Sequence, residues 1–210
     1  WWEKLKDFAK NPIRSMSFIK EIFSDASLNG WGASCGDSRA SGFWKESELK
    51  HHINYLEISA AFLALKCFAS DLRDSQILLR IDNTTAIAHI NKGGGTRSAS
   101  LNRVTRDLWE WCLARGLWVY ASYIPSQENS IADFESRRLS GCSDIEISKS
   151  VFSSIISKFG LPSIDLFASR DNAKCPRFVS WKQDPDSFAV DAFSLSWSGE
   201  FFYAFPPPEI

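Results

Sequence analysis

The alternation of short strand-forming and helix-forming stretches between residues 52 and 139 is the feature that most constrains the fold. The stretch HINYLEISAAFLALKCFASDL repeats apolar residues at helical spacing, which predicts a long helix with one apolar face. After it come QILLRI, typical of a buried strand, two predicted helices (NTTAIAHIN and SASLNRVTRDLWEWCLARG), the strand LWVYASYIP and a last helix, NSIADFESRRL. Strands separated by helices pair in parallel, with right-handed crossovers.

Three more strands are predicted ahead of this alternation, in SFIKEIFSDAS, GWGASCGD and ASGFWK, where Gly and Ser separate short runs. Three consecutive strands with short connections predict an antiparallel meander. The whole order, βββα, βα, α, βα, therefore predicts an α/β fold with a mixed five-stranded sheet flanked by helices. The polar residues 136–150 predict a linker, and we place the boundaries at 1–17, 18–140, 141–150 and 151–210, the last a small α/β extension.

The composition is that of a globular protein, with 44% hydrophobic and 23% charged residues among 210. No signal peptide follows Trp1, which predicts an intracellular fragment of a longer chain, in cytoplasm or nucleus and not secreted. No apolar run is long enough to span a membrane. The five cysteines are scattered and show no paired spacing, which argues against a zinc site or a disulfide framework.

Four acidic residues fall at matching positions in this predicted fold. Asp25 ends the first strand, Glu57 lies in the first turns of the long helix, Asp82 ends the fourth strand, and Asp133 lies early in the last helix. If the first strand lies beside the fourth, both aspartates point into one cleft, and the helices can deliver the other two acids. Clustered carboxylates are costly unless cations neutralise them, and Mg²⁺ prefers oxygen ligands of this kind.

Each acid also has an ordinary structural interpretation. Asp25 could cap a turn, Glu57 could be a solvated helix residue, and Asp82 and Asp133 could be helix caps. For Glu57 and Asp133 taken singly, we favour this ordinary interpretation, so the metal hypothesis depends on all four acids together.

Four motifs, SDASLNGWGAS, HINYLEISAAFLAL, LLRIDNTTAIAHINKGGGTRS and ASYIPSQENSIADFESR, resemble in order those of the ribonuclease H domain of retroelement reverse transcriptases. Within that family the chain is most similar to DIRS-type (tyrosine-recombinase) retrotransposons, in which a leading WW segment ends the polymerase. The resemblance implies the βββαβαβα fold and hydrolysis of RNA in RNA–DNA hybrids with two Mg²⁺ ions, or Mn²⁺. It also implies Asp25, Glu57, Asp82 and Asp133 as catalytic metal ligands, and the reverse transcriptase of the same polyprotein as a partner.

One departure from the family concerns the loop before the last acid. Relatives usually carry a histidine there, whereas this loop reads Pro125-Ser126-Gln127-Glu128. We expect slower turnover rather than loss of activity. His51 or His52 is expected to cap or pack the long helix, and His89 lies inside the short helix.

Several polar residues are candidates for nucleic-acid contacts. Short side chains beside the acids suit recognition of a 2′-OH, although capping is an equal interpretation for Thr84. Basic residues around the three glycines Gly93–Gly95 suit phosphates, against the alternative of a solvated helix face. The candidates are Ser27, Asn83, Thr84, Asn129, Lys92, Arg97 and Arg103. Trp31 and Trp44 are expected in the core, and one of Trp109 and Trp111 is expected to face the polymerase or nucleic acid.

The C-terminal extension resembles the start of the adenine-methyltransferase-like domain of DIRS-type elements. Asp165 matches an acid that binds S-adenosylmethionine in that family, and Phe205-Pro206-Pro207-Pro208 matches its target-amine motif incompletely. We interpret the segment as a truncated, non-catalytic remnant, the alternative being a structural extension that packs on the ribonuclease domain.

For the whole chain, the rival function is a non-catalytic nucleic-acid-binding or connection module. Clustered negative charge next to phosphates disfavours a domain that only binds.

Overall fold

The computed structural model describes residues 17–138 and 146–206, and its first part is built on one mixed sheet. Its strands are β1 (Lys20–Ala26), β2 (Gly30–Cys35), β3 (Ser38–Phe43), β4 (Gln76–Ile81) and β5 (Trp118–Tyr123). They follow the order β3-β2-β1-β4-β5. β1 is antiparallel to β2 and β2 to β3, whereas β1 and β5 both run parallel to β4. The mixed five-stranded sheet is the one that the sequence predicted, and β1 lies beside β4, the condition on which the convergence of Asp25 and Asp82 depended.

Within residues 17–138, four helices accompany this sheet, and local hydrogen bonds define their ends. The Nδ1 atom of His52 accepts a hydrogen bond from the Asn54 amide at the start of the first helix, as expected for one of the two histidines. Asn83 and Ser98 cap the next two helices, and Gly93, with φ 66°, ends the second. The helices are α1 (Ile53–Ala69), α2 (Thr84–Lys92), α3 (Ala99–Leu113) and α4 (Ser130–Arg137).

The core lies between the sheet and α1, and α1 is buried nearly all round. The expectation of one apolar face was therefore wrong. Because the sheet, α2 and α3 all pack on α1, its small and apolar residues are needed on most sides.

The tryptophans divide between core and surface partly as expected. Trp31 and Trp44 are buried, as predicted, and the Trp44 indole donates to the Ser27 carbonyl. Trp109 is buried and donates to the Ile90 carbonyl. The half-buried Trp111 lies against Phe62 and under the Arg115 guanidinium. The expected outside partner of one of these two residues stays a prediction.

The C-terminal part is a small α/β unit with its own core, of Ile164, Leu166, Val179 and Ala192. Its elements are α5 (Lys149–Phe159), β6 (Ile164–Asp165), β7 (Val179–Ser180), β8 (Ala189–Val190) and β9 (Phe202–Tyr203). The very short strands form two parallel pairs, β6 with β9 and β7 with β8.

This unit packs on the first part through ion pairs. Arg170 contacts Glu48 at 2.6 Å with both side chains largely buried, and Lys66 contacts Asp186 at 2.8 Å. Within the described ranges, no helix combines the length and the hydrophobicity that spanning a membrane requires.

Ser136 belongs to α4 and Ser150 to α5, so the polar stretch predicted as a linker from residue 136 to 150 is helical at both ends. The domain boundaries themselves stay predictions. The leading WW segment, Cys142 and the motif residues Pro207 and Pro208 lie outside the described residues.

Candidate active site

Three acidic side chains from three different elements meet at one edge of the sheet. Asp25 is near the end of β1, and Asp82 follows β4 directly, so the parallel pairing of the two strands brings both to the same edge. Glu57 reaches this edge from the second turn of α1. One carboxylate oxygen of each residue lies within 4.8 Å of one from each of the others. In the described part of the chain, no other three His, Cys, Asp or Glu side chains come this close together.

Burial makes this carboxylate trio, as we call Asp25, Glu57 and Asp82, electrostatically unfavourable when all three are ionised. Asp25 is 4% exposed and Glu57 5% exposed. Burial raises the pKa of the Asp25 carboxyl, a hydrogen bond from Ser136 opposes that rise, and the charges of Asp82 and Asp133 add to it. Burial and the charges of its two neighbours raise the pKa of Glu57 to about 9.

A divalent cation fits these residues. The buried Oε2 atom of Glu57 has no hydrogen-bond partner, which is unusual for a carboxylate oxygen at that depth. Hard cations such as Mg²⁺ take carboxylate oxygens as ligands and would supply both the missing partner and the missing positive charge. Asp25, Glu57 and Asp82 are the residues that would hold such an ion.

The raised pKa of Glu57 predicts how stability depends on pH without metal. The folded protein keeps the Glu57 proton up to about pH 9, whereas the unfolded chain releases it near 4.5, so stability falls as pH rises between these values. We expect a slope of up to about 1.4 kcal/mol per pH unit in denaturant titrations in EDTA. Glu57→Gln should flatten the slope, and so should saturating Mg²⁺ in the wild type.

Glu110→Gln is the matched control, because Glu110 is exposed on α3, which carries none of the trio's residues. It should leave the pH slope unchanged. A wild-type slope no steeper than that of Glu57→Gln would contradict the burial of a protonated carboxyl.

Asp133, the fourth predicted acid, does not join the trio. Its Oδ1 atom accepts from Nε of Arg137 at 2.6 Å, one helical turn away on α4, and it is half-exposed. It still lies close enough to Asp25 to raise the pKa of that carboxyl. The convergence expected from the sequence is therefore observed for three of the four acids, and metal ligation by Asp133 stays a prediction.

Helix α4 is fixed tightly against β1 and β2. A Cβ atom added at Gly32 would lie 2.2 Å from the Ala132 carbonyl oxygen and 2.3 Å from the Ser136 amide nitrogen, so only glycine permits this approach. The Ser27 hydroxyl donates to the Ser136 carbonyl at 2.7 Å, and the Asn129 amide donates to the Ser24 carbonyl at 3.1 Å. Through these contacts the last turn of α4 is held next to Asp25.

Sequence reasoning missed three residues that contact the acids. The Ser136 hydroxyl donates to Oδ2 of Asp25 at 2.7 Å, and the Ser126 hydroxyl donates to Oδ2 of Asp82 at 2.7 Å. Arg137 pairs with Asp133. Ser136 and Arg137 follow Asp133 by three and four residues, and helical spacing could have placed them on its face. Ser126, in the loop that lacks the family histidine, had no comparable signal.

The predicted nucleic-acid contacts fall into two groups. Ser27, Asn83 and Asn129 make internal bonds: Asn83 accepts from the Ala86 amide and donates to Asn54, and Asn129 is buried. A second group is exposed to solvent along α2, the loop after it and the start of α3. These residues are Thr84, Lys92, Arg97 and Arg103.

Asp165, the candidate cofactor-binding acid of the C-terminal unit, is buried. Its two carboxylate oxygens accept from the backbone amides of Phe167 at 3.3 Å and Lys174 at 3.0 Å. It therefore orders the loop that follows β6, and the methyltransferase resemblance stays a prediction.

No protein-family model matches the chain, and no curated protein is significantly similar to it. Solved structures with a similar fold include ribonuclease H1 of the archaeon Halobacterium salinarum. It is 20% identical to this chain, with a TM-score of 0.44, and the alignment covers 55% of this chain and 92% of that one. LC11 ribonuclease H1, solved in complex with an RNA/DNA hybrid, is 19% identical with a TM-score of 0.46 over 55% of this chain and 92% of its own.

A foamy viral protease-reverse transcriptase, also solved with an RNA/DNA hybrid, is 13% identical with a TM-score of 0.39 and aligns over 62% of this chain and 22% of its own. At such identities and scores, functional assignment depends on the side chains of the chain itself.

Proposed function

We propose that residues 18–140 form a ribonuclease that hydrolyses the RNA strand of RNA–DNA hybrids with the help of divalent cations. The observation that carries the proposal is the carboxylate trio, in which three acids from β1, α1 and the end of β4 meet within 4.8 Å. Without cations, the carboxylates of the trio would repel the phosphates of a nucleic acid, which disfavours a domain that only binds nucleic acid. A cation-loaded trio instead attracts a phosphodiester and can act on it.

Asp25, Glu57 and Asp82 would hold the divalent cations, two Mg²⁺ ions in this proposal, which would supply activation of a water molecule and stabilisation of the leaving oxygen, and cleavage would leave 3′-OH and 5′-phosphate ends. The chain's own task is to hold the carboxylates in place. Ser136 and Ser126 each donate a hydrogen bond to one aspartate and so fix its orientation. The burial of Asp25 and Glu57 keeps bulk water from screening their charge.

Selection of RNA would come from the start of α2. Asn83, which directly follows Asp82, is held by Asn54 and by the Ala86 amide, and the exposed Thr84 comes next. Short polar groups next to the reacting phosphate are suited to a 2′-OH, which can both donate and accept. Lys92, Arg97 and Arg103, all exposed, continue from this point and would contact the phosphates of the hybrid.

The biological setting that we propose is the polyprotein of a retroelement of the DIRS type, with a reverse transcriptase as the neighbouring domain. The four ordered motifs and the residues on either side of 18–140 support this setting. In that setting the hybrid produced by reverse transcription is the substrate.

The test is cleavage of a labelled RNA strand presented as an RNA–DNA hybrid, as a single strand and as an RNA duplex. We expect cleavage of the hybrid in Mg²⁺ or Mn²⁺, none in EDTA, and at least about tenfold slower cleavage of the other two substrates, because they lack the mixed-strand geometry. Tight hybrid binding without cleavage in either metal would overturn the proposal in favour of a binding or connection module.

A further inference from the structure

Arg137 places a permanent positive charge at the side of the carboxylate trio. Its Nε atom lies 2.6 Å from Oδ1 of Asp133, and its charge also acts on Asp25 and Asp82. The backbone beneath it is fixed by Gly32 and by the Ser27 hydroxyl, so α4 itself has little room to shift. The Arg137 side chain, in contrast, is 65% exposed and can turn away into solvent.

We propose that Arg137 is a built-in counter-cation, which holds Asp133 away from the trio until a second divalent ion displaces it. The inference depends on the proposed function, because it assumes that the trio binds divalent cations. While Asp133 accepts from Arg137, its Oδ1 atom is engaged, and only the three acids of the trio are available to a cation. When the guanidinium turns outward, Asp133 becomes free to ligate.

The strength of the pair suits such an exchange. A half-exposed pair between residues i and i+4 is a weak interaction, so a divalent ion at millimolar concentration can compete with it. Arg137 and a second cation would each neutralise the same acids, and the two positive charges therefore compete for them. Arg137 therefore raises the metal concentration at which the second ion binds. It affects less the binding of the first ion, which Asp25, Glu57 and Asp82 hold.

The test is Mn²⁺ binding to the full chain without nucleic acid, by calorimetry and by the electron paramagnetic resonance of free Mn²⁺. We expect Arg137→Gln to bind the second ion about three- to tenfold more tightly, with a smaller change for the first, because a repelling unit charge is removed. Arg137→Lys keeps the charge and should lie between this variant and the wild type. Half-maximal hybrid cleavage should shift to lower Mg²⁺ by a similar factor.

Arg138→Gln is the matched control, since it removes the same charge one residue further on. Arg138 pairs with Glu135, which also contacts Ser41 of β3, and this pair is separate from the Asp133 pair. Its Mn²⁺ affinities should equal those of the wild type.

Unchanged second-site affinity in Arg137→Gln would overturn the inference. So would a higher KM for the hybrid with unchanged metal binding, which is the result expected of a phosphate contact. The Mn²⁺ readout needs no catalysis, so a chain that fails to cleave hybrids but shows the affinity shift would refute the proposed function and leave the counter-cation in place.

Discussion

Asp25→Asn is expected to reduce hybrid cleavage about a thousandfold or more, while making the metal-free protein more stable. The loss follows because an amide is a poor ligand for a hard cation and each metal contact supplies several kcal/mol of transition-state stabilisation. The metal-free protein gains stability because burial already disfavours the ionised Asp25, and the neutral asparagine can still accept a hydrogen bond from Ser136. Single-turnover cleavage in Mg²⁺ and thermal unfolding in EDTA measure the two effects.

Glu21→Gln is the control on the same strand. Glu21 lies four residues before Asp25, and it pairs with Arg80 on the exposed side of the sheet. This variant should retain cleavage within about twofold, because an exposed ion pair contributes little. Asp25→Asn with wild-type cleavage would refute the site, and a folded variant with lowered stability would refute the electrostatic account of Asp25.

Gly32→Ala is expected to cost at least about 3 kcal/mol of unfolding free energy and most of the activity, because overpacking against a backbone cannot be relieved by side-chain movement. The added methyl group would lie within 2.3 Å of two backbone atoms of α4. Relief requires α4 to move away from β2, which breaks the hydrogen bond between Ser136 and Asp25. Urea titration measures the first effect, and cleavage measured well below the denaturation midpoint measures the second.

Gly36→Ala separates steric overlap from the general cost of replacing a glycine. Gly36 lies in the turn after β2 with φ 56°, and a Cβ there would contact nothing within 4 Å. It should cost only about 1–2 kcal/mol, from the left-handed backbone alone, and should leave cleavage intact. If the two variants were equally stable, the close approach of α4 to β2 would not matter for folding.

The elements of the sheet and its helices were predictable from the sequence because each has a strong local signal. QILLRI is typical of a short buried strand, and Ser98 and Asn83 mark helix starts through their capping chemistry. Once β1 and β4 are parallel neighbours, the convergence of Asp25 and Asp82 follows from topology. Glu57 follows from its place in the first turns of the helix that crosses over to that edge.

The features of the fold and of the site that were not predicted depend on contacts that leave no periodic pattern in the sequence. The near-complete burial of α1 arises from three neighbours that the sequence does not identify, and the Ser126 contact arises from a loop conformation. The pairing of Asp133 with Arg137 is a competition between two partners for one carboxylate. Such a competition is decided by distances of a few tenths of an ångström, which patterns of residue type do not encode.

The two ion pairs between the C-terminal unit and the first part of the chain have a mechanical consequence for the site. Glu48 lies just before α1 and Lys66 lies in its last turn, so Arg170 and Asp186 hold the helix near both of its ends. Glu57 lies between these two supports. The stiffness with which this carboxylate is presented to a cation is thus a property shared between the two parts of the chain, although every acid of the trio comes from the first.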